Sequence, residues 1–189
     1  VVEALPWACC GSVAPGRGLL GITVIILQIY VEILLMEKNR KKIGIALLGC
    51  GTVGSSVARI LLLQKNILSK RHKVDLDLSY IVDLDFSRAE ELQIDKNLFC
   101  TDFEKVLQDD TVEVVVELIG GLTIAKDFIE QALKAGKKVV TANKALLAHH
   151  GLELLTLARE QESCIAFEAS CAGGIPIIRA LMDGLITNK

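Results

Sequence analysis

From Ile43 onward, apolar and polar positions fall into a repeating order. The run "IGIALLG" is apolar without interruption and enters glycines, as a strand buried on both faces does. "SSVARILLLQKN" then spaces Val57, Ile60, Leu61 and Gln64 for a helix. In "DLDLSYIVD" the positions Leu76, Leu78, Tyr80 and Val82 alternate, which predicts a second strand, reached through the long connection "LQKNILSKRHK". A short helix around "SRAEELQ" and a brief third strand at "NLFC" follow, and Asp102 is placed to cap "FEKVLQD". "VEVVVELIG" is the clearest strand, rich in β-branched residues and ending in Gly120 and Gly121. "TIAKDFIEQALKAG" puts Ile124, Phe128, Ile129, Ala132 and Leu133 on one helical face and Lys126, Asp127, Glu130 and Lys134 on the other, with Gly136 closing the helix. "KKVVTAN" predicts a fifth strand, "KALLAHHGLELLTLAREQES" a helix with a break near Gly151, and "CIAFEAS" a sixth strand. Strands alternating with helices of this length imply an α/β protein with a doubly wound parallel sheet covered on both sides.

The order does not extend upstream. Between Arg17 and Glu37 lies "GLLGITVIILQIYVEILLM", long enough on paper to cross a bilayer. Gln28 and Glu32 interrupt it, and a carboxylate in a lone spanning helix is costly. A signal peptide would need a small-residue cleavage site after the apolar core, where "MEKNRKK" stands instead. The reading favoured over anchor and signal peptide is that residues 1–35 lie outside the working protein and that Met36 is its start. The expected organisation is an upstream apolar segment at 1–35, a dinucleotide-binding domain at 36–170, and the beginning of a second, truncated domain at 171–189.

Composition narrows the class. Hydrophobic residues make up 51% of the chain, which excludes a disordered protein. A net charge of −2 without a long basic patch argues against nucleic acid as a partner. The six cysteines form no CxxC pair and no metal-like spacing, and they read as reduced thiols of a cytoplasmic protein.

Candidate chemistry centres on "GCGTVG", which has a buried strand leading in and a helix leading out. Gly49 permits the tight turn, Gly51 lets the backbone approach a pyrophosphate, and Gly54 lets helix and strand pack closely, while helix N-terminal amides face the phosphates. The alternative is an ordinary glycine-rich turn. Asp83 ends the second strand, where an acid can bind an adenosine ribose, although it comes later than the usual ~20 residues after the loop. It could equally be a strand-end turn residue. A carboxylate there repels a 2′-phosphate and favours NAD, whereas Arg88 could attract NADP. Lys144 falls in the first turn of the helix capped by Asn143, where a cation gains nothing from the helix dipole and an anion nearby would compensate it. The other possibility is a solvated surface lysine. His149 and His150 read as structural.

Four stretches, "IGIALLGCGTVG", "VVVELIGG", "AGKKVVTANKALLAHHG" and "FEASCAGGIPII", resemble the homoserine dehydrogenases in order and spacing, from about Ile43 to the C-terminus. The resemblance implies a Rossmann domain followed by a substrate and dimerisation domain. It also implies cytoplasmic reduction of aspartate semialdehyde to homoserine with NAD or NADP, in threonine and methionine biosynthesis. Cofactor contacts are implied for Gly49, Gly51, Thr52, Val53, Gly54 and Lys144, and Asp83 and Gly120 complete the expected cofactor-binding set. Many members carry an arginine just before the strand-two acid; this chain has Val82, which weakens the case for NADP.

The resemblance also implies a monovalent cation, commonly sodium, bound through the backbone carbonyls of Glu168, Cys171, Gly173 and Ile175. A glycine turn before a helix, with Pro176 near its first position, explains the same residues without an ion. Cys171 stands where the family usually has valine. The family's acidic substrate ligands and proton-donating lysine fall beyond Lys189. The chain is therefore expected to bind cofactor without turnover, to expose an apolar face around Ile177, Ile178 and Leu181 that makes it prone to associate, and to form a homo-oligomer when full length. No membrane partner is expected. A non-catalytic cofactor-sensing module, or another semialdehyde or sugar dehydrogenase, remains open as a reading of these residues.

Overall fold

The structure is a computed structural model that describes residues 42–72 and 74–186. The expectations for residues 1–35 and the Met36 start, like Cys9 and Cys10, lie outside the described residues.

Six parallel strands form one sheet: β1 (Lys42–Leu48), β2 (Asp75–Val82), β3 (Phe99–Cys100), β4 (Val112–Glu117), β5 (Lys138–Thr141) and β6 (Ile165–Ala166). Their spatial order is β3-β2-β1-β4-β5-β6, with every neighbouring pair parallel. That is the 3-2-1-4-5-6 order of the Rossmann-type doubly wound fold, in which the chain reverses direction across the sheet between β1 and β4. The helices are α1 (Thr52–Leu63), α2 (Lys65–His72), α3 (Ser87–Glu91), α4 (Phe103–Gln108), α5 (Thr123–Lys134), α6 (Lys144–Glu160) and α7 (Ile177–Ile186), with 3-10 turns at Lys96–Leu98, Glu168–Ser170 and Ala172–Gly174.

The unbroken apolar runs of β1 and β4 reflect a core on each side of the sheet. Ile43, Ile45 and Leu47 of β1 pack with Val57, Ala58 and Leu61 of α1 on one side. Ala46 and Leu48 pack with Val106 of α4, Ile129 and Leu133 of α5, and Leu146 and Leu154 of α6 on the other. Burying such a side chain contributes roughly 1.5–3 kcal/mol, so the two cores hold the sheet between its helices.

Four local expectations are corrected. The strict alternation of β2 breaks, because the β1–β2 register slips between Ile45 and Ala46. Leu76, Leu78 and Ile81 therefore face one core while Tyr80 and Val82 face the other. The connection "LQKNILSKRHK" contains a second helix, α2, whose exposed residues carry no apolar stripe to betray it. In α5 the buried face is Ala125, Ile129, Ala132 and Leu133, while Ile124 in the first turn is exposed. Finally, α6 runs through Gly151 unbroken, its cap supplied by Asn143.

Candidate functional site

The candidate residues all follow the carboxyl ends of strands, at one edge of the sheet. After β1 the chain turns at Gly49, whose φ is +100. Its amide donates to the Val82 carbonyl of β2 at 2.9 Å, and the Leu118 amide after β4 donates to the Leu48 carbonyl at 2.8 Å. The loop is thus stitched to both neighbours of β1, at the reversal point where open α/β sheets bind ligands.

Each glycine of "GCGTVG" has its own reason. A Cβ on Gly49 would lie 2.8 Å from the Leu118 carbonyl, and one on Gly54 would lie 1.9 Å from the Gly49 carbonyl oxygen. Both are required by packing within the chain. A Cβ on Gly51 would meet no atom of the described residues within 4 Å. Gly51 is the N-cap of α1 and supplies no side-chain cap; the first amide of this stretch to return to the helix is Ser55, bonded to the Gly51 carbonyl at 3.0 Å. The amides of Thr52, Val53 and Gly54 precede that bond and form the positive end of the helix dipole. The edge therefore offers donors and close backbone approach together, which is the chemistry a pyrophosphate needs.

Asp83 is brought directly to this loop. One carboxylate oxygen accepts the Cys50 amide, and the other accepts the amides of Leu84 at 2.7 Å and Asp85 at 3.2 Å. It serves as a turn residue and an anchor of the glycine loop at once. Burial, and next the Asp83 carboxylate, push the Cys50 thiol up from its ordinary pKa. The thiol thus adds no negative charge to a loop suited to phosphate. Arg88 is paired with Glu91 at 2.6 Å.

Across the reversal point, Gly120 and Gly121 both take positive φ. Beneath them Glu117, fully buried at the end of β4, accepts the amides of Ile119 and Gly120, each at 2.9 Å. Its other oxygen accepts the Thr141 hydroxyl at 2.6 Å. Asn143 caps α6 by accepting the Leu146 amide at 3.1 Å and donates to the Gly121 carbonyl at 2.6 Å. Lys144 follows it in the first turn of α6 and is exposed. The reading of the residues missed Glu117 and Thr141 altogether. The available signal was a carboxylate closing a strand otherwise buried on both faces.

After β6, Glu168 is 6% exposed, and its carboxylate caps α7 by accepting the amides of Ile178 at 2.9 Å and Arg179 at 3.1 Å. The Glu168 carbonyl accepts the Cys171 amide at 3.1 Å, and Ala172 and Gly173 take positive φ. Of the apolar face expected on α7, Ile177 and Leu181 are exposed, together with Ile175 and Met182, while Ile178 is half-buried. Away from this edge, His150 pairs with Glu153 at 3.2 Å, and Lys126 joins Glu153 at 2.8 Å. Among the described residues, Cys50, Cys100, Cys164 and Cys171 form no disulfide. Among the described residues no helix is long and apolar enough to cross a membrane.

Known proteins share both the sequence and the geometry. The family model described as the NAD binding domain of homoserine dehydrogenase matches residues 49–168. The homoserine dehydrogenase of Neisseria gonorrhoeae is 42% identical over 149 residues, covering 79% of this chain and 34% of the relative. That of Bacillus subtilis is 40% identical, covering 79% and 34%. Among solved structures, a homoserine dehydrogenase from Thiobacillus denitrificans superposes with a TM-score of 0.70 at 37% identity, covering 80% of this chain and 35% of that one. A hyperthermophilic archaeal homoserine dehydrogenase in complex with NADPH gives 0.56 at 26% identity, covering 72% and 47%. The chain spans about a third of the length of the curated relatives it matches. With the reversal point, the glycine loop and the matched residues agreeing, the chain belongs to the homoserine dehydrogenase family, within its NAD-binding domain.

Proposed function

We propose that this chain binds NAD or NADP along the carboxyl edge of its sheet and forms the cofactor-binding part of an enzyme that interconverts aspartate semialdehyde and L-homoserine. The observation that carries the reading is Gly51, a glycine that no atom of the described residues requires, standing at a helix N-terminus without a side-chain cap. In this reading Gly49, Gly51, Thr52, Val53 and Gly54 hold the pyrophosphate and Asp83 the adenosine ribose. Gly120 and Lys144 meet the remainder of the dinucleotide. The nicotinamide, when bound, supplies or takes the hydride. The Asp83 charge, Val82 before it and the engagement of Arg88 by Glu91 favour NAD over NADP.

The turn after β6 is proposed to hold a monovalent cation such as sodium through the carbonyls of Glu168, Cys171, Gly173 and Ile175. Its support is a tight turn in which Ala172 and Gly173 take positive φ. Substrate ligands and the proton-donating lysine are assigned to the remainder of the family's length. The 189 residues then bind cofactor without turnover, and the full-length enzyme is a cytoplasmic homo-oligomer. Titrating the chain with NAD and NADP by calorimetry tests the reading. Saturable binding, tighter for NAD, is expected; heat from neither cofactor contradicts it, and homoserine-dependent reduction of NAD by these residues alone contradicts the division of labour.

A further inference from the structure

We infer that Glu117 is the positioning residue for the nicotinamide half of the cofactor, locking the loop after β4 to the start of α6. The inference rests on the dinucleotide reading above and deepens it.

Glu117 and Thr141 are both fully buried. Among the described residues no lysine, arginine or histidine pairs with the Glu117 carboxylate. An apolar residue would fill that position at lower cost, since a buried carboxylate loses its hydration and needs every lone pair answered. Glu117 is answered by three donors that belong to two separate segments. Two are the amides of Ile119 and Gly120, in the loop after β4. The third is the hydroxyl of Thr141, which ends β5 and in turn accepts the Asn143 amide at 3.0 Å. Asn143 closes the ring by donating to the Gly121 carbonyl at 2.6 Å. The loop with Gly120 and the helix start with Lys144 are therefore tied together by one hydrogen-bonded ring.

The location assigns this unit to one half of the ligand. In a doubly wound sheet the acid after β2 and the glycine loop after β1 serve the adenosine half and the pyrophosphate, and the strands beyond the reversal serve the second nucleotide. Glu117 and Thr141 lie on β4 and β5, beyond that reversal. Asp83 and the glycine loop keep their own bonds, to each other and to β2, and the Leu118 amide that joins the end of β1 to β4 is not held by the Glu117 carboxylate. A defect at Glu117 should thus separate the two halves of the ligand.

The test compares ADP, which carries only the adenosine and pyrophosphate half, with NAD. Both are titrated into the 189-residue chain and its Glu117→Gln, Thr141→Val and Thr141→Ser variants. Glu117→Gln keeps the volume but takes away the acceptor of the Thr141 hydroxyl. Thr141→Val keeps the shape and removes the hydroxyl, and Thr141→Ser retains it. The expected result is a loss of about tenfold in NAD affinity for the Gln and Val variants. ADP affinity should stay unchanged in both, and the Ser variant should keep most of its NAD affinity. Parallel weakening of ADP and NAD would reduce Glu117 to a structural role and overturn the inference, as would unchanged NAD affinity. Failure of the unsubstituted chain to bind either ligand would instead overturn the dinucleotide reading, and this inference with it.

Discussion

A methyl group placed on Gly51 touches nothing among the described residues, while one on Gly54 would overlap the Gly49 carbonyl oxygen at 1.9 Å. The two glycines should therefore fail differently. Gly54→Ala forces helix and loop apart and is expected to cost about 1–3 kcal/mol of stability, the usual range for overpacking. Gly51→Ala should leave the unfolding transition nearly unmoved and weaken NAD binding by about tenfold or more, because the methyl occupies the approach of the phosphate. Denaturant unfolding and calorimetric titration of both variants check the pair; a destabilised Gly51→Ala that still binds NAD normally would contradict it. Lys144 makes a similar separation. Its charge sits at the positive end of α6, so Lys144→Ala should gain a few tenths of a kcal/mol in stability, about 0.3–1 by the helix-dipole scale. The same variant should bind NAD more weakly. Unchanged affinity would return Lys144 to the surface lysines.

At the scale of elements, what the sequence made legible follows from how local each cause is. The buried strands and their order announce themselves because an apolar run in a parallel sheet needs no partner to be recognised. The slip opposite Ser79 that reverses the phase of β2 leaves no local trace, since it arises from pairing with β1. Helix α2 was hidden for another reason: its sequence, Lys65–His72, is polar on most sides, and it is held partly by ion pairing at its start. Glu117 is not legible as a site residue because its hydroxyl partner lies 24 residues further on. The break placed at Gly151 gave propensity more weight than the surrounding helix deserves. A Cβ there would meet only Leu147 side-chain carbons, at 3.8 Å and 3.9 Å, which is ordinary contact. Gly151→Ala should therefore stabilise the protein by about 0.4–1 kcal/mol, read as a higher denaturation midpoint; a lower midpoint would show that α6 needs its glycine.

Asp77 ties three elements together, pairing with Lys65 of α2 at 2.5 Å and with Lys42 of β1 at 3.0 Å. The hydrogen bond from Lys65 is the largest cause that holds its carboxyl below the ordinary carboxylate value. A depressed folded-state pKa means that the unfolded chain binds the proton more tightly. The contribution is therefore present above the unfolded value near 3.8 and is lost as pH falls through the folded one. Partial exposure limits it to the surface-pair range of about 0.2–1 kcal/mol. Asp77→Asn should be less stable than the parent chain at neutral pH, and the gap should close on acidification below the ordinary carboxylate range. A gap that widens in acid would contradict the assignment.

Over the whole molecule, the sheet order puts the glycine loop, Asp83, Gly120, Lys144 and the Glu168 turn at a single edge, because each follows a strand of a parallel sheet. A groove of about 370 Å³ lies elsewhere, between α5 and α6, lined by Glu130, Lys134, Glu153, Thr156, Leu157 and Glu160. Lys134 is drawn to Glu130 at 3.4 Å, so the three carboxylates there leave a poor surface for a pyrophosphate. The loop edge and the groove make the location of the cofactor decidable. Amide hydrogen exchange of the 189-residue chain, with and without saturating NAD, measures it directly. The account predicts slowed exchange in residues 49–55, 118–121 and 143–146, with the groove between α5 and α6 unaffected. Protection confined to that groove, or none at the three loops under saturating cofactor, would contradict it.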